Sequence, residues 1–162
     1  MSPTLVCNTG PLIAIAAATG DWRIFQAIPE RILIPPQVGV ELAAGSPGSP
    51  GRDLLHASPW LEVHREHWPI PAFLTAALDL GEAAVISLAL HLQINRVAID
   101  EQAARHISRS CGLALTGSLG LLLRAKHHGA HVDLALAIER MRTAGIWISS
   151  VLEAEVLRLG DV

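Results

Sequence analysis

The stretch T-L-V-C-N-T-G-P-L-I-A-I-A-A-A, residues 4–18, contains two structural patterns in direct succession. Residues 4–8 form a short apolar run that predicts a buried β-strand, and the turn-forming residues N-T-G-P end it. Pro11 suits the first turn of a helix because its missing N–H would have no partner there, and the apolar residues after it continue the helix. The stretch therefore predicts one strand followed directly by one helix.

The same alternation continues along the chain. The run G-S-P-G-S-P-G, residues 45–51, predicts a flexible loop that is too short to separate two domains. Strands alternating with helices predict a parallel sheet with helices on both faces, in one domain over residues 1–162. Further strands are predicted at 31–34, 60–64, 96–99 and 113–115, and further helices at 21–27, 35–44, 52–57, 71–79, 81–93, 101–110, 118–128, 132–143 and 149–158.

The amino-acid composition argues against a membrane-spanning, secreted or disulfide-rich protein. Hydrophobic residues make up 51% of the 162 residues and charged residues 17%, which indicates a sheet covered on both faces or an extra buried surface such as a dimer interface. No run approaches the roughly 20 apolar residues of a membrane span, and no Lys or Arg precedes Arg23, which argues against a signal peptide. The two cysteines, Cys7 and Cys111, cannot form a disulfide framework. We therefore expect a cytoplasmic protein with reduced thiols.

Four oxygen-bearing side chains lie where predicted strands end or where helices meet apolar surroundings. Asn8 and Asp100 close two predicted strands, so we expect them at the same edge of a parallel sheet, where functional groups collect. Glu41 stands alone among apolar residues in V-G-V-E-L-A-A, and Glu82 begins the helix E-A-A-V-I-S-L-A-L. Carboxylates beside apolar segments are costly unless they are compensated, and a hard divalent cation such as Mg²⁺ or Mn²⁺ compensates them.

Each of these residues also has a structural explanation. Asn8 and Asp100 can cap the helices that follow them. Glu82, at the start of a helix, is favoured by the helix dipole, and Glu41 can point into solvent from an amphipathic helix. Taken one at a time, these explanations are preferred. The combination of all four residues in this order is what favours a site.

That combination, with its surroundings, resembles the PIN-domain nucleases, particularly the branch close to the toxins of prokaryotic toxin–antitoxin pairs. The resemblance covers nearly the whole chain and implies a three-layer α/β/α fold. It rests, in the family's order, on V-C-N-T-G-P-L-I-A-I-A (6–16), I-P-P-Q-V-G-V-E-L (34–42), L-D-L-G-E-A-A-V-I-S-L-A-L (78–90), A-I-D-E-Q-A-A-R-H-I (98–107) and L-A-L-T-G-S-L-G-L-L-L-R-A-K (113–126).

The resemblance implies a ribonuclease that uses Mg²⁺ or Mn²⁺ to hydrolyse RNA phosphodiester bonds. In such enzymes acidic side chains bind the metal, and the metal activates the attacking water and neutralises charge in the transition state. The implied metal-binding and catalytic residues are Glu41, Glu82, Asp100 and Asn8. The resemblance also implies an RNA substrate, a homodimer, and an antitoxin protein with a peptide-like segment that covers the acidic pocket.

Further residues take supporting roles by the same resemblance. Thr9, Thr116 and Ser118 would orient metal ligands or waters without binding the metal themselves. Arg105 would either pair with Asp100 or contact a phosphate of the substrate.

Asn8 departs from the family pattern, because the first acid of a PIN domain is usually Asp. An amide oxygen still coordinates a hard cation, but it carries no negative charge, so the metal affinity is expected to fall. Glu101 is a candidate for the replacement charge. The departure leaves open an alternative, in which the chain keeps the fold as a binding or interaction module with weak or absent catalysis.

Other sequence patterns point to weaker hypotheses. The chain has a net charge of −3, but residues 102–132 contain no acid and carry four of its Lys and Arg residues, so this segment either contacts phosphate or forms solvated helix faces. The histidines at 64–67 and 127–131 lack the cysteine partners of a typical zinc site. A small-molecule α/β enzyme ranks last, because no G-x-G-x-x-G or P-loop pattern occurs.

Overall fold

The computed structural model describes residues 2–45 and 50–162, and within them five strands form one all-parallel sheet. This confirms the predicted α/β fold with a parallel sheet. The strands are β1 (Thr4–Cys7), β2 (Arg31–Ile34), β3 (Leu61–Val63), β4 (Arg96–Ala98) and β5 (Ala114–Thr116). Their order across the sheet is β3-β2-β1-β4-β5.

Helices connect the strands and complete the chain after β5. They are α1 (Thr9–Thr19), α2 (Pro36–Ala43), α3 (Pro50–Ala57), α4 (Ala72–Ala77), α5 (Leu80–His91), α6 (Gln102–Ser110), α7 (Ser118–His127), α8 (Leu134–Thr143) and α9 (Ser150–Gly160), with a 3₁₀ helix at Trp22–Ala27. Among the described residues, none of these helices has the length and apolarity needed to cross a membrane.

The helices divide into groups on the two faces of the sheet. α1 packs against α3, α7 and α8, whereas α5 packs against α2, α4 and α6 and against strands β1 and β4. The connection that leaves β1 runs across the sheet in the opposite direction to those that leave β3 and β4. Because parallel crossovers are right-handed, helices from connections of opposite direction lie on opposite faces. The sheet is therefore flanked by helices.

The central strands and helix α5 form the core. Leu5, Val6 and Cys7 of β1 are each at most 1% exposed, as expected for a strand covered on both faces. In α5, residues 81–89 are all buried. This is expected, because the helix carries no charged residue after Glu82. Both cysteines are free thiols. Burial, reinforced by the negative charge of Asp100, raises the pKa of the Cys7 thiol, so this group stays neutral and unreactive.

Strand β1 marks the point at which the topology changes direction. It pairs with β2 on one side and β4 on the other, with Val6 opposite Val97. The connections after β1 and β4 leave in opposite directions, which opens a crevice between the carboxyl ends of these two strands. The backbone N–H of Asn8 donates to the carbonyl oxygen of Ala98 at 3.0 Å, so the pairing extends to the rim of this crevice.

Many element boundaries differ by one or two residues from the sequence prediction. Helix α1 begins at Thr9, so Pro11 lies in its first turn as predicted, where an N–H would have no partner within the helix. The segment predicted as a helix at 21–27 is the 3₁₀ helix. Of the loop predicted at 45–51, residues 46–49 lie outside the described residues, and Pro50 and Gly51 already belong to α3.

A buried ion-pair cluster lies at the opposite, amino edge of the sheet. Glu30 directly precedes β2, its side chain is fully buried, and it accepts a hydrogen bond from Arg96 at 2.6 Å. Arg124 of α7 forms a second ion pair with the same carboxylate. Arg124 is therefore engaged far from the crevice, and residues 102–132 do not form one continuous basic surface.

We predict that Glu30→Gln destabilises the fold by about 1–3 kcal/mol, because two arginines lose a buried counter-charge but stay partly solvated. The matched control is Glu62→Gln, which breaks the ion pair of Arg31 and Glu62 at the surface, with side chains about half exposed. Urea unfolding at neutral pH measures both changes. Equal and small changes for the two variants would show that the buried cluster contributes nothing particular to stability.

Candidate functional site

Asn8 and Asp100 lie side by side at the crevice between β1 and β4. Asn8 directly follows β1, and Asp100 stands two residues after the end of β4. Asn8 is only 7% exposed and occupies the N-cap position of α1, yet its side chain makes no capping hydrogen bond. Helix capping therefore does not account for the buried carboxamide.

Asp100 is held by a helix that begins later in the chain. Its Oδ1 atom accepts a hydrogen bond at 2.8 Å from the backbone N–H of Ser118, the first residue of α7. A Cβ atom on Gly10, in the first turn of α1, would lie 3.9 Å from the other carboxylate oxygen. The N-cap residue of α6 is Glu101, so Asp100 is not the cap of the helix that follows it. The carboxylate lies instead between the positive ends of α1 and α7.

Glu41 extends from α2 to the starts of α1 and α5. The hydroxyl group of Thr9, the first residue of α1, donates to Oε2 of Glu41 at 2.5 Å. On its other side the carboxylate lies against Gly81, where a Cβ atom would come within 3.0 Å of the Glu41 Cδ atom and would overlap its oxygen. Although Glu41 is exposed, its carboxylate is directed to the crevice by these contacts. Only a glycine at position 81 allows this close approach.

Glu82 lies in the first turn of α5, is 7% exposed, and forms a capping box with Asp79. The N–H of Glu82 donates to Oδ1 of Asp79 at 2.8 Å, and the N–H of Asp79 donates to Oε2 of Glu82 at 3.3 Å. Burial raises the pKa of Glu82, and the negative charges of nearby carboxylates raise it further, against the effect of the Asp79 hydrogen bond. These carboxylates are Asp79, Glu101 and Glu41.

Arg105 and Thr116 border the same crevice. The Nη1 atom of Arg105 donates to the carbonyl oxygen of Ile99 at 2.7 Å, and within the described residues no ion pair joins Arg105 to Asp100. A Cβ atom on Gly117 would lie 2.8 Å from Oδ1 of Asp100 and 3.2 Å from Nη1 of Arg105, so this glycine leaves room for both groups. The Thr116 hydroxyl, at the end of β5, donates to the carbonyl oxygen of Gly117 at 3.3 Å.

The donor chemistry of this edge fits a hard divalent cation, because three carboxylates and a carboxamide supply oxygen ligands only. The like charges that raise the pKa of Glu82 are those that a cation would neutralise. Each carboxylate also has a hydrogen-bond partner within the protein: the Thr9 hydroxyl, the Asp79 N–H and the Ser118 N–H. In the part of the chain that the structure describes, no three His, Cys, Asp or Glu side chains are grouped as the ligands of one ion.

The structure places the site residues predicted from the sequence along one edge of the sheet, but in the described residues it does not group three acidic side chains as the ligands of one ion. Asn8, Thr9, Glu41, Glu82, Asp100, Arg105, Thr116 and Ser118 lie at the carboxyl edge of the sheet or at the helix starts beside it. Sequence reasoning missed Asp79 and the glycines at 81 and 117. The spacing D-L-G-E, with an acid three residues before a glutamate, is a capping-box signal that would have identified Asp79.

Comparison with known proteins identifies a family. The model of the DUF3368 family, described as a PIN domain, matches residues 4–161, which is nearly the whole chain. The resemblance to PIN domains found from the sequence motifs is thereby confirmed. Comparison with curated proteins and with solved structures finds no match to this chain.

The raised pKa of Glu82 predicts how stability depends on pH in metal-free buffer. The folded chain holds the Glu82 proton more tightly than the unfolded chain does, so ionisation as pH rises through the folded pKa lowers the free energy of unfolding. Glu82→Gln keeps an acceptor for the Asp79 N–H but removes the charge. We therefore expect this variant to be more stable than the wild type at pH 7.

The advantage of Glu82→Gln should shrink as the pH falls below the ordinary glutamate range, where Glu82 is protonated in both states. The control is Glu139→Gln, at an exposed position on α8, which should change stability little at either pH. Urea unfolding at pH 7 and at about pH 3 measures the difference. A variant that is less stable than the wild type at pH 7 would contradict this electrostatic account.

Proposed function

The chain belongs to the PIN-domain family. On that premise we propose that the protein hydrolyses RNA phosphodiester bonds with Mg²⁺ or Mn²⁺ bound at its acidic edge, by which we mean Asn8, Glu41, Glu82 and Asp100. PIN domains are typically metal-dependent nucleases. The observation that supports the proposal is that Asn8, Glu41 and Asp100 lie at the start of α1, while Glu82 lies in the first turn of α5, next to the glycine that Glu41 contacts. These residues come from four separate parts of the sequence, and they border the edge of the sheet at which parallel α/β folds bind ligands.

Local electrostatics support a cation in this position. Glu41, Glu82 and Glu101 are close enough for their charges to interact, and burial adds to the cost of ionised Glu82. Arg105 is a cationic side chain at this edge, and its guanidinium donates to the Ile99 carbonyl rather than pairing with a carboxylate among the described residues. A divalent cation would therefore reduce a repulsion that the protein's own cations leave in place.

The residues at the acidic edge have different roles in the proposed reaction. Glu41, Glu82 and Asp100 would hold the cation, with the Asn8 carboxamide as a neutral ligand. When bound, the cation supplies a water of lowered pKa and neutralises the charge that develops on the phosphate. Thr9 positions the carboxylate of Glu41, and the backbone N–H of Ser118 positions that of Asp100.

Asn8 supports a second candidate function. A neutral amide in place of the usual aspartate removes one negative charge from the site, which lowers the affinity for a divalent cation. A chain with this substitution could retain the crevice as a binding module and lose hydrolysis. Glu101, exposed at the start of α6 and close enough to affect the pKa of Glu82, is the carboxylate placed to restore the missing charge.

The biological setting stays a prediction that follows from the resemblance. It comprises a cytoplasmic location, the role of toxin in a toxin–antitoxin pair, an antitoxin segment over the acidic pocket, and a homodimer. The homodimer has some support from apolar side chains at the surface, since Trp147 is 85% exposed and Val151 is 79% exposed.

The direct test is cleavage of single-stranded RNA with added Mn²⁺, comparing the wild type with Asp100→Asn. We expect this variant to lose at least about 100-fold in rate, because a metal ligand loses its charge. The matched control is Asp133→Asn, since Asp133 also accepts a backbone N–H at a helix start, on α8. The control should cleave as the wild type does.

Asn8→Asp separates the two candidate functions, because it restores the charge of the first acid. An enzyme weakened by Asn8 should gain rate in this variant and should lose the gain in a double variant with Asp100→Asn. Cleavage that appears only in Asn8→Asp would favour the binding module. Cleavage that is unchanged by Asp100→Asn or by removal of the metal would contradict the proposed site.

A further inference from the structure

Helix α6 carries a positively charged face that begins at the acidic edge. Gln102, Arg105, His106 and Arg109 follow the spacing i, i+3, i+4 and i+7, which puts them on one side of the helix. Gln102, His106 and Arg109 are exposed and Arg105 is half-buried, whereas Ala104 and Ser108 are buried. We call these four residues the α6 basic face.

The positive charges of the α6 basic face are only partly compensated. In residues 2–45 and 50–162, no carboxylate forms an ion pair with Arg105 or Arg109. Burial lowers the pKa of Arg105, and the charge of Arg109 lowers it further, against the opposing effect of Asp100, so the two guanidinium groups repel each other. Surface arginines elsewhere do have partners, for example Arg31 with Glu62 and Arg158 with Glu155. Others, such as Arg140, form no ion pair among the described residues, so the α6 face is distinguished by having two such arginines one turn apart beside the acidic edge.

The position of the face connects it to the site. Arg105 is anchored at the Ile99 carbonyl, one residue before Asp100, and its Nη1 atom lies beside the same glycine as Oδ1 of Asp100. Arg109 stands one turn further on, about 6 Å along the helix axis. A strand whose phosphate is attacked at the acidic edge would bring its neighbouring phosphates over these arginines.

Resting on the proposed function, we infer that the α6 basic face binds the phosphates of single-stranded RNA next to the bond that is cut. Arg105 contacts the phosphate nearest the acidic edge, and Arg109 contacts the next one along the strand. Contacts of this kind recognise the backbone and not the bases, so they supply affinity without sequence preference. The acidic edge, which repels RNA on its own, gains its substrate through this adjoining positive surface.

The test measures RNA binding without cleavage. Full-length protein with Asp100→Asn is titrated onto fluorescently labelled single-stranded RNAs of different sequence, and anisotropy gives Kd between 50 and 200 mM salt. Adding Arg109→Gln should weaken binding by a similar factor for every sequence and should reduce the slope of log Kd against log salt by about 0.7. Arg109→Lys should restore most of the slope, because the contact is made to phosphate charge.

Arg140→Gln is the matched control, because Arg140 is also an exposed arginine in the last turn of a helix, α8. The inference is overturned if Arg109→Gln and Arg140→Gln give the same Kd and the same salt slope. The inference stands if only Arg109→Gln weakens binding. Absence of RNA cleavage by the wild type is a separate result, and it would defeat the proposed nuclease but not the inference. Cleavage by the wild type with no effect of Arg109→Gln on binding defeats the inference and leaves the nuclease in place.

Discussion

The parallel pairing of β1 with β4 is the constraint on which the candidate site depends. It places residues more than 90 apart in sequence, Asn8 and Asp100, at one rim of the sheet, because Val6 and Cys7 stand opposite Val97 and Ala98. The chain leaves the two strands in opposite directions, so no connection covers the rim between them. The pairing is secured by strands that are almost wholly buried, and a shift of register would move both the core side chains and the polar rim.

Helix starts and glycines complete the arrangement. In a parallel sheet the helices that follow the strands begin at the carboxyl edge, so their unpaired N–H groups collect there. One of these groups, the backbone N–H of Ser118, donates a hydrogen bond to Asp100, whereas the hydroxyl of Thr9 donates to Glu41. Gly81 and Gly117 permit the carboxylates of Glu41 and Asp100 to approach the backbone more closely than a Cβ atom allows. The edge is thus organised around negative charge, and α6 adds positive charge immediately beside it.

Much of this could be predicted from the sequence, because the deciding signals are local. Short apolar strands, proline at helix starts and the run without charge after Glu82 indicated the order of elements, with boundaries correct to within one or two residues for most of them. The pairing of Glu41 with Gly81, and of Asp100 with α7 rather than α6, could not be predicted, since both depend on how distant elements pack. The same is true of Arg124, whose partner Glu30 lies at the opposite edge of the sheet.

The central claim is that the acidic edge holds a divalent cation, and calorimetric titration of Mn²⁺ into the protein at neutral pH tests it directly. The account predicts saturable binding by the wild type, at least about tenfold weaker binding in Glu82→Gln and Asp100→Asn, and unchanged binding in Asp133→Asn. No binding by the wild type, or the same affinity in all four proteins, would contradict the account. The carboxylates would then be held at this edge by the helix starts alone.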